Sequence, residues 1–146
     1  MAMATSLALV VAATFTWLGM VLAISFLEAP LKFRAPDVTL RVGLGIGRLV
    51  FRALNACEAV LAVLVVVGLV AGSPATGPVV ALGLAVALLV AQVALVRPAL
   101  TRRTDAVLAA PDGVDGPGSR AHLWYVGAEV AKVGALLTGG ILLLSA

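Results

Sequence analysis

Four long runs of apolar residues, separated by polar connections, dominate the chain. They cover residues 5–27, 44–70, 79–96 and 122–144. Each run is close to or above the roughly 20 residues that an α-helix needs to cross about 30 Å of hydrocarbon. The pattern therefore predicts four transmembrane helices.

Proline residues indicate where two of these runs end. Pro30 and Pro98 each follow an apolar run, and proline disfavours helical geometry at the preceding residue and donates no backbone hydrogen bond. We therefore expect residues 31–42 to form a loop or interfacial piece and residues 99–121 to form the longest connection. The first run lacks a basic leader and is too long for a signal peptide, so we expect it to remain in the mature protein.

Composition supports membrane insertion. Hydrophobic residues make up 62% of the chain and charged residues 12%, whereas soluble domains carry about 25% charged residues. The mean hydropathy is +1.17. These values predict an all-α integral membrane protein, a four-transmembrane-helix bundle whose residues 1–146 form one domain in a lipid bilayer.

The basic residues are distributed asymmetrically. All ten Lys and Arg residues lie in or beside residues 28–52 and 97–132. By the positive-inside rule, these two connections are cytoplasmic and both termini lie outside a cytoplasmic (plasma) membrane. The sequence pI of about 9.8 follows from these flanking charges rather than from an aromatic-interleaved basic patch, so we predict no nucleic-acid partner.

Two of the apolar runs contain a stripe of polar residues on one helical face. At about 100° per residue, the second run aligns Arg52, Asn55 and Glu58. The last run aligns His122, Tyr125, Glu129 and Lys132 in the same way. Ionisable groups inside a membrane usually face the bundle interior and mark a site or a pathway.

These stripes predict a cytoplasm-facing polar cavity that binds a small molecule or ion. Its lining residues would be Glu58, Glu129 and Lys132, with further polar residues at its edge: Arg52, Asn55, His122, Tyr125 and Glu28. The structural alternative is that neighbouring charges on each helix only neutralise each other.

Three functions are compatible with such a cavity. The first is transport of a small solute or ion, with the two carboxylates exchanging protons or cations and Lys132 as counter-charge. The second is a membrane enzyme that acts on a lipid-soluble substrate with the same carboxylates as general acid and base. The third is a non-catalytic accessory subunit of a membrane complex, in which the polar residues fix the helix register.

Metal ligation is disfavoured by the residue spacing. Di-iron helical bundles use Glu-x-x-His pairs on two helices, whereas His122 is the chain's single histidine and precedes Glu129 by seven residues. We therefore predict no metal site, and the sequence indicates no particular cofactor.

The two halves of the chain also resemble each other. The segment that begins at Ala29-Pro30 aligns with Arg97-Pro98 at an offset of 68 residues, and Glu58 aligns with Glu129 at an offset of 71. This predicts a parallel 2+2 internal repeat, a symmetry that occurs in transporters. Small residues one turn apart, such as Gly43 and Gly47, permit close helix contacts either within one bundle or in a homo-oligomer.

Several segments resemble a bacterial four-span membrane family that is grouped with transmembrane protein 205 of eukaryotes. They are Glu28-Ala29-Pro30-Leu31-Lys32-Phe33-Arg34, Gly47-Arg48-Leu49-Val50-Phe51-Arg52-Ala53-Leu54-Asn55 and Arg120-Ala121-His122-Leu123. The resemblance implies a small four-helix membrane protein, linked in some relatives to export or tolerance of toxic compounds. Glu58, Glu129 and Lys132 have no assigned place in that family pattern.

Overall fold

The computed structural model describes residues 1–111 and 120–146 and shows a bundle of long helices. The helices are α1 (Ala2–Val21), α2 (Ala29–Leu31), α3 (Leu40–Gly72), α4 (Thr76–Ala91), α5 (Arg97–Ala109) and α6 (Arg120–Leu144). The π-helical turn Leu22–Glu28 joins α1 to α2, the 3₁₀ turn Lys32–Arg34 follows α2, and the π-helical turn Gln92–Val96 joins α4 to α5. Part of the predicted long connection, residues 112–119, lies outside the described residues.

Four continuous helices are long and apolar enough to cross a membrane. They cover Ala4–Arg34, Leu40–Gly72, Thr76–Ala109 and Arg120–Leu144. Large apolar side chains along them, such as Val63, Val67 and Leu95, point outward and are exposed, as expected of surfaces in contact with lipid. The prediction of an all-α, four-helix, multi-pass membrane protein is confirmed.

The predicted C-terminal ends of the first and third helices are wrong. The helices continue past Pro30 and Pro98 because a π-helical turn precedes each proline. The backbone N–H groups of Ala29 and Arg97 bond to carbonyls five residues earlier. This wider turn makes room for the proline ring, which would clash with a carbonyl in a regular α-helix. The loop predicted at residues 31–42 is therefore short, and α5 occupies much of the predicted 99–121 connection.

The second long helix also begins earlier than predicted, at Leu40. Thr39 caps α3, because its side-chain oxygen accepts a hydrogen bond from the Val42 backbone N–H at 3.3 Å. The helix ends at Gly72, where Ser73 adopts a left-handed conformation with φ 43°. At 1.5 Å per residue its 33 residues extend about 50 Å, well beyond the hydrocarbon core.

Glycine residues allow the helices to pack closely. A Cβ atom at Gly68 would collide with Val10 on α1, and one at Gly139 would lie 2.6 Å from the Leu82 side chain on α4. In lipid, such close packing replaces the hydrophobic effect as the force between helices. Gly43 and Gly47 likewise contact Phe33 and Lys32 of the same chain, so internal packing accounts for the small-residue pattern.

These contacts define the two ends of the bundle. α1 packs antiparallel to α3, and α4 packs antiparallel to α6, with α1 also touching α6. We call the end near residues 1–5, 72–76 and 144–146 the charge-free end, because it has no Lys, Arg, Asp or Glu. The opposite end, formed by residues 28–52, 97–109 and 120–122, is the charged end.

Buried positions follow the predicted repeat. The buried residues of α1 include Val10, Thr14, Trp17 and Val21, and 68 residues later Pro78, Leu82, Ala85 and Leu89 are buried in α4. Leu54, Glu58, Val65 and Leu69 are buried in α3, and 71 residues later Tyr125, Glu129, Leu136 and Gly140 are buried in α6. Together with the π turn before each proline, this agreement supports a 2+2 repeat.

Candidate functional site: a buried ion cluster and a basic cleft

The centre of the candidate site is the ammonium group of Lys132. Its Nζ atom lies 2.5 Å from Glu58 Oε1 and 2.6 Å from Glu129 Oε1, and it donates to Gln92 Oε1 at 2.8 Å. These three acceptors match the three N–H donors of a lysine ammonium. All four side chains are almost completely buried, so this ion cluster is closed to solvent.

Glu58 has partners on both carboxylate oxygens. The Trp17 indole N–H donates to its Oε1 at 2.8 Å. The hydrogen-bond partners fix the orientation of the Asn55 amide, whose nitrogen lies 3.0 Å from Glu58 Oε2 and whose oxygen lies 2.6 Å from the Arg97 guanidinium. A chain of hydrogen bonds thus leads from Arg97 to the ion cluster.

Glu129 is less completely satisfied. Its Oε1 atom also accepts a hydrogen bond from Gln92 Nε2 at 2.7 Å, but its Oε2 atom has no hydrogen-bond partner among the described residues. The Tyr125 hydroxyl and the Thr14 hydroxyl are buried and likewise unpartnered within the described part of the chain. Buried polar atoms without hydrogen-bond partners are costly. These three atoms differ in this respect from the other polar atoms of the ion cluster, which are hydrogen-bonded.

The two carboxylates lie at similar depth. Glu58 is 14 residues from the Gly72 end of α3, and Glu129 is 15 residues from the Leu144 end of α6. At 1.5 Å per residue, these separations correspond to about 21 and 22 Å from the charge-free end. The shared ammonium shows that the two carboxylates face each other.

The other residues predicted for the site differ in whether they contact the ion cluster. Tyr125 is buried one helical turn from Glu129. Its backbone carbonyl accepts a hydrogen bond from Gln92 Nε2 at 3.4 Å, and its ring packs edge-on against Phe51. Arg52 and His122 are exposed. Glu28 forms an ion pair with Lys32 at 3.4 Å and is not part of the cluster.

A second feature, the basic cleft, opens at the charged end between the end of the first span and helices α3, α5 and α6. It has a volume of about 510 Å³, and His122 lies on its wall. Four basic residues also line it: Lys32, Arg48, Arg97 and Arg103. Neither Glu58, Glu129 nor Lys132 borders this cleft, so the carboxylates do not line it as the sequence stripes suggested.

A third feature is a lateral groove between α3 and α4. It measures about 670 Å³ and is lined mainly by small and branched apolar side chains, such as Ala59, Val63 and Val90. Arg52 and Arg97 line this groove as well. Arg97 therefore borders both the basic cleft and the lateral groove while it contacts Asn55.

Trp17, Gln92 and Arg97 are the cluster partners that sequence reasoning did not identify. Gln92 was visible as the only strongly polar residue of its apolar run, and Arg97 as the charge that follows it. Trp17 gave a weaker signal, because an indole is common in membrane helices and its N–H donor is easily overlooked.

The described residues offer no group of three or more His, Cys, Asp and Glu side chains placed to hold a metal ion. Comparisons with protein-family models, curated proteins and solved structures find no match for the chain. The resemblance to the four-span family therefore stays a hypothesis, and the function must be argued from the site.

Proposed function

We propose that this membrane protein binds and transports a small solute or ion, with Glu58 and Glu129 as proton- or cation-exchanging groups and Lys132 as their counter-charge. The observation that supports this proposal is the hydrogen-bonded chain from Arg97 through Asn55 to Glu58. It connects the wall of the basic cleft with a closed ion cluster deep in the bundle.

The composition of the cluster favours exchange. Two carboxylates share one ammonium, so the three ionised groups together carry a surplus negative charge. Adding one proton or a monovalent cation would balance that surplus, and isolated charge is costly in this environment. The unpartnered Oε2 atom of Glu129 and the Tyr125 hydroxyl provide oxygen atoms where a proton or cation could be received.

The orientation forms part of the proposal. All the basic residues of the described chain except Lys132 lie at the charged end, and the positive-inside rule assigns that end to the cytoplasm. The basic cleft would then open to the cytoplasm, with both termini outside and the protein in the cytoplasmic membrane. Assembly into a homo-oligomer stays a prediction.

Proton uptake into proteoliposomes tests the mechanism. The full chain is reconstituted with a pH-sensitive dye inside the vesicles, and an inward proton gradient is applied. We expect the protein to accelerate uptake over empty vesicles, and Glu58→Gln and Glu129→Gln each to reduce the protein-dependent rate about tenfold or more, because each removes an exchanging carboxylate.

Asp37→Asn is the matched control. It makes the same carboxylate-to-amide change at an exposed turn residue with φ 64°, a conformation that Asn adopts readily. This variant should retain full uptake. If wild-type vesicles take up protons no faster than empty ones, or if both Gln variants equal wild type, the proposed exchange mechanism is wrong.

The accessory-subunit alternative has one supporting observation, since the cluster is extensively paired internally. Folded Gln variants that change neither flux nor ligand binding, together with co-purification of a larger complex, would favour it. The enzyme alternative requires a substrate to reach Glu58 and Glu129, and neither the basic cleft nor the lateral groove borders them.

A further inference from the structure

The basic cleft has a surplus of positive charge. Of its four basic residues, Lys32 is paired with Glu28 at 3.4 Å and Arg48 with Asp105 at 2.8 Å. No Asp or Glu of the described residues lines the cleft itself. Within the described residues, two positive charges of the lining therefore lack an acidic partner, so the cleft attracts an anion.

Two residues that line the cleft also carry a polar atom without a hydrogen-bond partner among the described residues. The Arg103 Nε–H and the Ser25 hydroxyl are buried and unpartnered among the described residues, and both residues line the cleft. A guanidinium N–H and a hydroxyl are both donors, which suits the oxygen atoms of a phosphate or carboxylate.

The Lys32 ammonium is held in place beside the cleft. It lies 5.6 Å from the centre of the Phe33 ring and 5.5 Å from that of Phe51, distances typical of cation–π contacts. Gly47 leaves the space that Lys32 occupies, since a Cβ atom there would lie 3.0 Å from Nζ. The cation is thus positioned before any ligand binds.

The remaining walls are mainly apolar and include Phe26, Leu44, Leu100 and Val126, with Thr101 and Thr104 among them. A fully hydrated anion would gain little from such walls, whereas a hydrocarbon chain attached to the anion would fit them. Ligand sites of this size commonly combine apolar walls with a few well-placed polar groups.

We infer that the basic cleft binds an anionic amphiphile: a phosphate or carboxylate group contacts Arg103, Ser25 and Lys32, and its hydrocarbon chain lies against the apolar walls. The inference does not depend on the proposed transport function. The expected source of the ligand is the membrane, as an anionic lipid. A free oxyanion from solution would contradict the inference, and the experiment distinguishes the two.

Lipid titrations of the full chain in detergent provide the test. The probes are phosphatidylglycerol, zwitterionic phosphatidylcholine and inorganic phosphate, and the readout is the dissociation constant obtained from thermal stabilisation. We expect phosphatidylglycerol to stabilise the protein most. Arg103→Gln should weaken its binding about tenfold, the effect of losing one charge-assisted hydrogen bond.

Arg102→Gln is the matched control, because Arg102 is the exposed neighbour of Arg103 and does not line the cleft. It should change the dissociation constant less than about twofold, as expected for an exposed and screened charge. If Arg103→Gln does not fold, Lys32→Gln replaces it. Glu58→Gln should retain phosphatidylglycerol binding even if proton uptake is lost, which separates this inference from the transport proposal.

Each other outcome overturns the inference. Equal weakening by Arg102→Gln and Arg103→Gln would indicate nonspecific attraction to basic surface charge. Equal binding of phosphatidylglycerol and phosphatidylcholine would exclude a headgroup site. Inorganic phosphate that stabilises the protein as strongly as phosphatidylglycerol would show that the hydrocarbon chain is not recognised, and the ligand would be a free oxyanion.

Discussion

The buried ion cluster and the basic cleft use charged residues in opposite ways. In the cluster, Lys132 is shared between Glu58 and Glu129 and all three groups are closed to solvent. In the cleft, basic residues outnumber their acidic partners and an Arg103 donor has no partner among the described residues. The carboxylates of the cluster thus share a cation that lies within the cluster, while two cations of the cleft have no acidic partner among the described residues.

This difference predicts that mutations in the two regions differ in how strongly they affect folding. A buried pair is costly to break but adds little net stability over an apolar replacement, so its mutation should affect folding first. A half-exposed cation without a partner contributes little to folding, so its mutation should affect ligand binding first. Variants that change stability without changing ligand binding, or the reverse, therefore test this distinction.

The largest expected effect on stability is that of Lys132→Met. It leaves two carboxylates facing each other without their shared cation, and breaking a buried ion pair in this way costs about 3–5 kcal/mol. The free energy of unfolding, measured by titration with a denaturing detergent, should fall by that amount. Lys32→Met in the cleft should cost less, about 1–2 kcal/mol, because the carboxylate that it leaves unpaired, Glu28, is 29% exposed.

A rescue experiment checks the cause. Adding Glu58→Gln and Glu129→Gln to Lys132→Met removes the unpaired charges and should recover much of the lost stability, because an uncharged polar cluster has a smaller desolvation cost. Equal destabilisation by Lys132→Met and Lys32→Met would contradict the distinction between cluster and cleft.

A smaller effect is expected from the asymmetry between the two carboxylates. Both oxygens of Glu58 accept hydrogen bonds, from Trp17, Lys132 and Asn55, so the amide nitrogen of Glu58→Gln must face a donor. Glu129→Gln can direct its nitrogen to the side of the unpartnered Oε2 atom. Glu58→Gln should therefore destabilise the protein by about 1–2 kcal/mol more than Glu129→Gln.

Unfolding titrations of the two variants, with Asp37→Asn as the reference for an exposed carboxylate, measure this difference. Equal losses would mean that the Trp17 and Asn55 contacts do not stabilise Glu58. A greater loss for Glu129→Gln would place the structurally essential carboxylate on α6 instead of α3.

The four spans and the facing carboxylates could be predicted because helical periodicity and apolar run length determine them. Glu58 and Glu129 lie on polar stripes of their own helices, and such stripes face the bundle interior in lipid. The continuation of the helices past Pro30 and Pro98 could not be predicted in the same way. The expectation that a helix ends at proline considers only the proline and the residue before it. It does not include the π-helical turns that make room for the rings of Pro30 and Pro98.

The partners of the cluster were harder to predict because they depend on the register between helices. Gln92 reaches both Glu129 and Lys132 only at one relative height of α4 and α6, and close contacts such as Gly139 against Leu82 help to set that height. A lone polar residue has no periodic pattern that reveals its partner. The basic cleft was missed for a similar reason, since its residues come from four separate segments.

The smallest expected effect concerns the space beside Lys32. Gly47→Val should displace the Lys32 ammonium, because a Cβ atom added at Gly47 would already lie 3.0 Å from Lys32 Nζ. Gly45→Val is the control two residues away on the same helix, with no neighbouring atom within 4 Å of its Cβ position. Both substitutions make the same residue change inside α3, so their intrinsic helix propensities are matched.

We expect Gly47→Val to weaken phosphatidylglycerol binding about threefold to tenfold, because one cation of the cleft is moved away from the headgroup, while Gly45→Val leaves it unchanged. The ion cluster should not respond, so the free energies of unfolding of the two variants should stay within about 1 kcal/mol of each other. If binding falls equally in both variants, Lys32 is not positioned by Gly47. If the unfolding free energy falls strongly in Gly47→Val alone, the cleft contributes to folding as the cluster does, and the two regions no longer differ in kind.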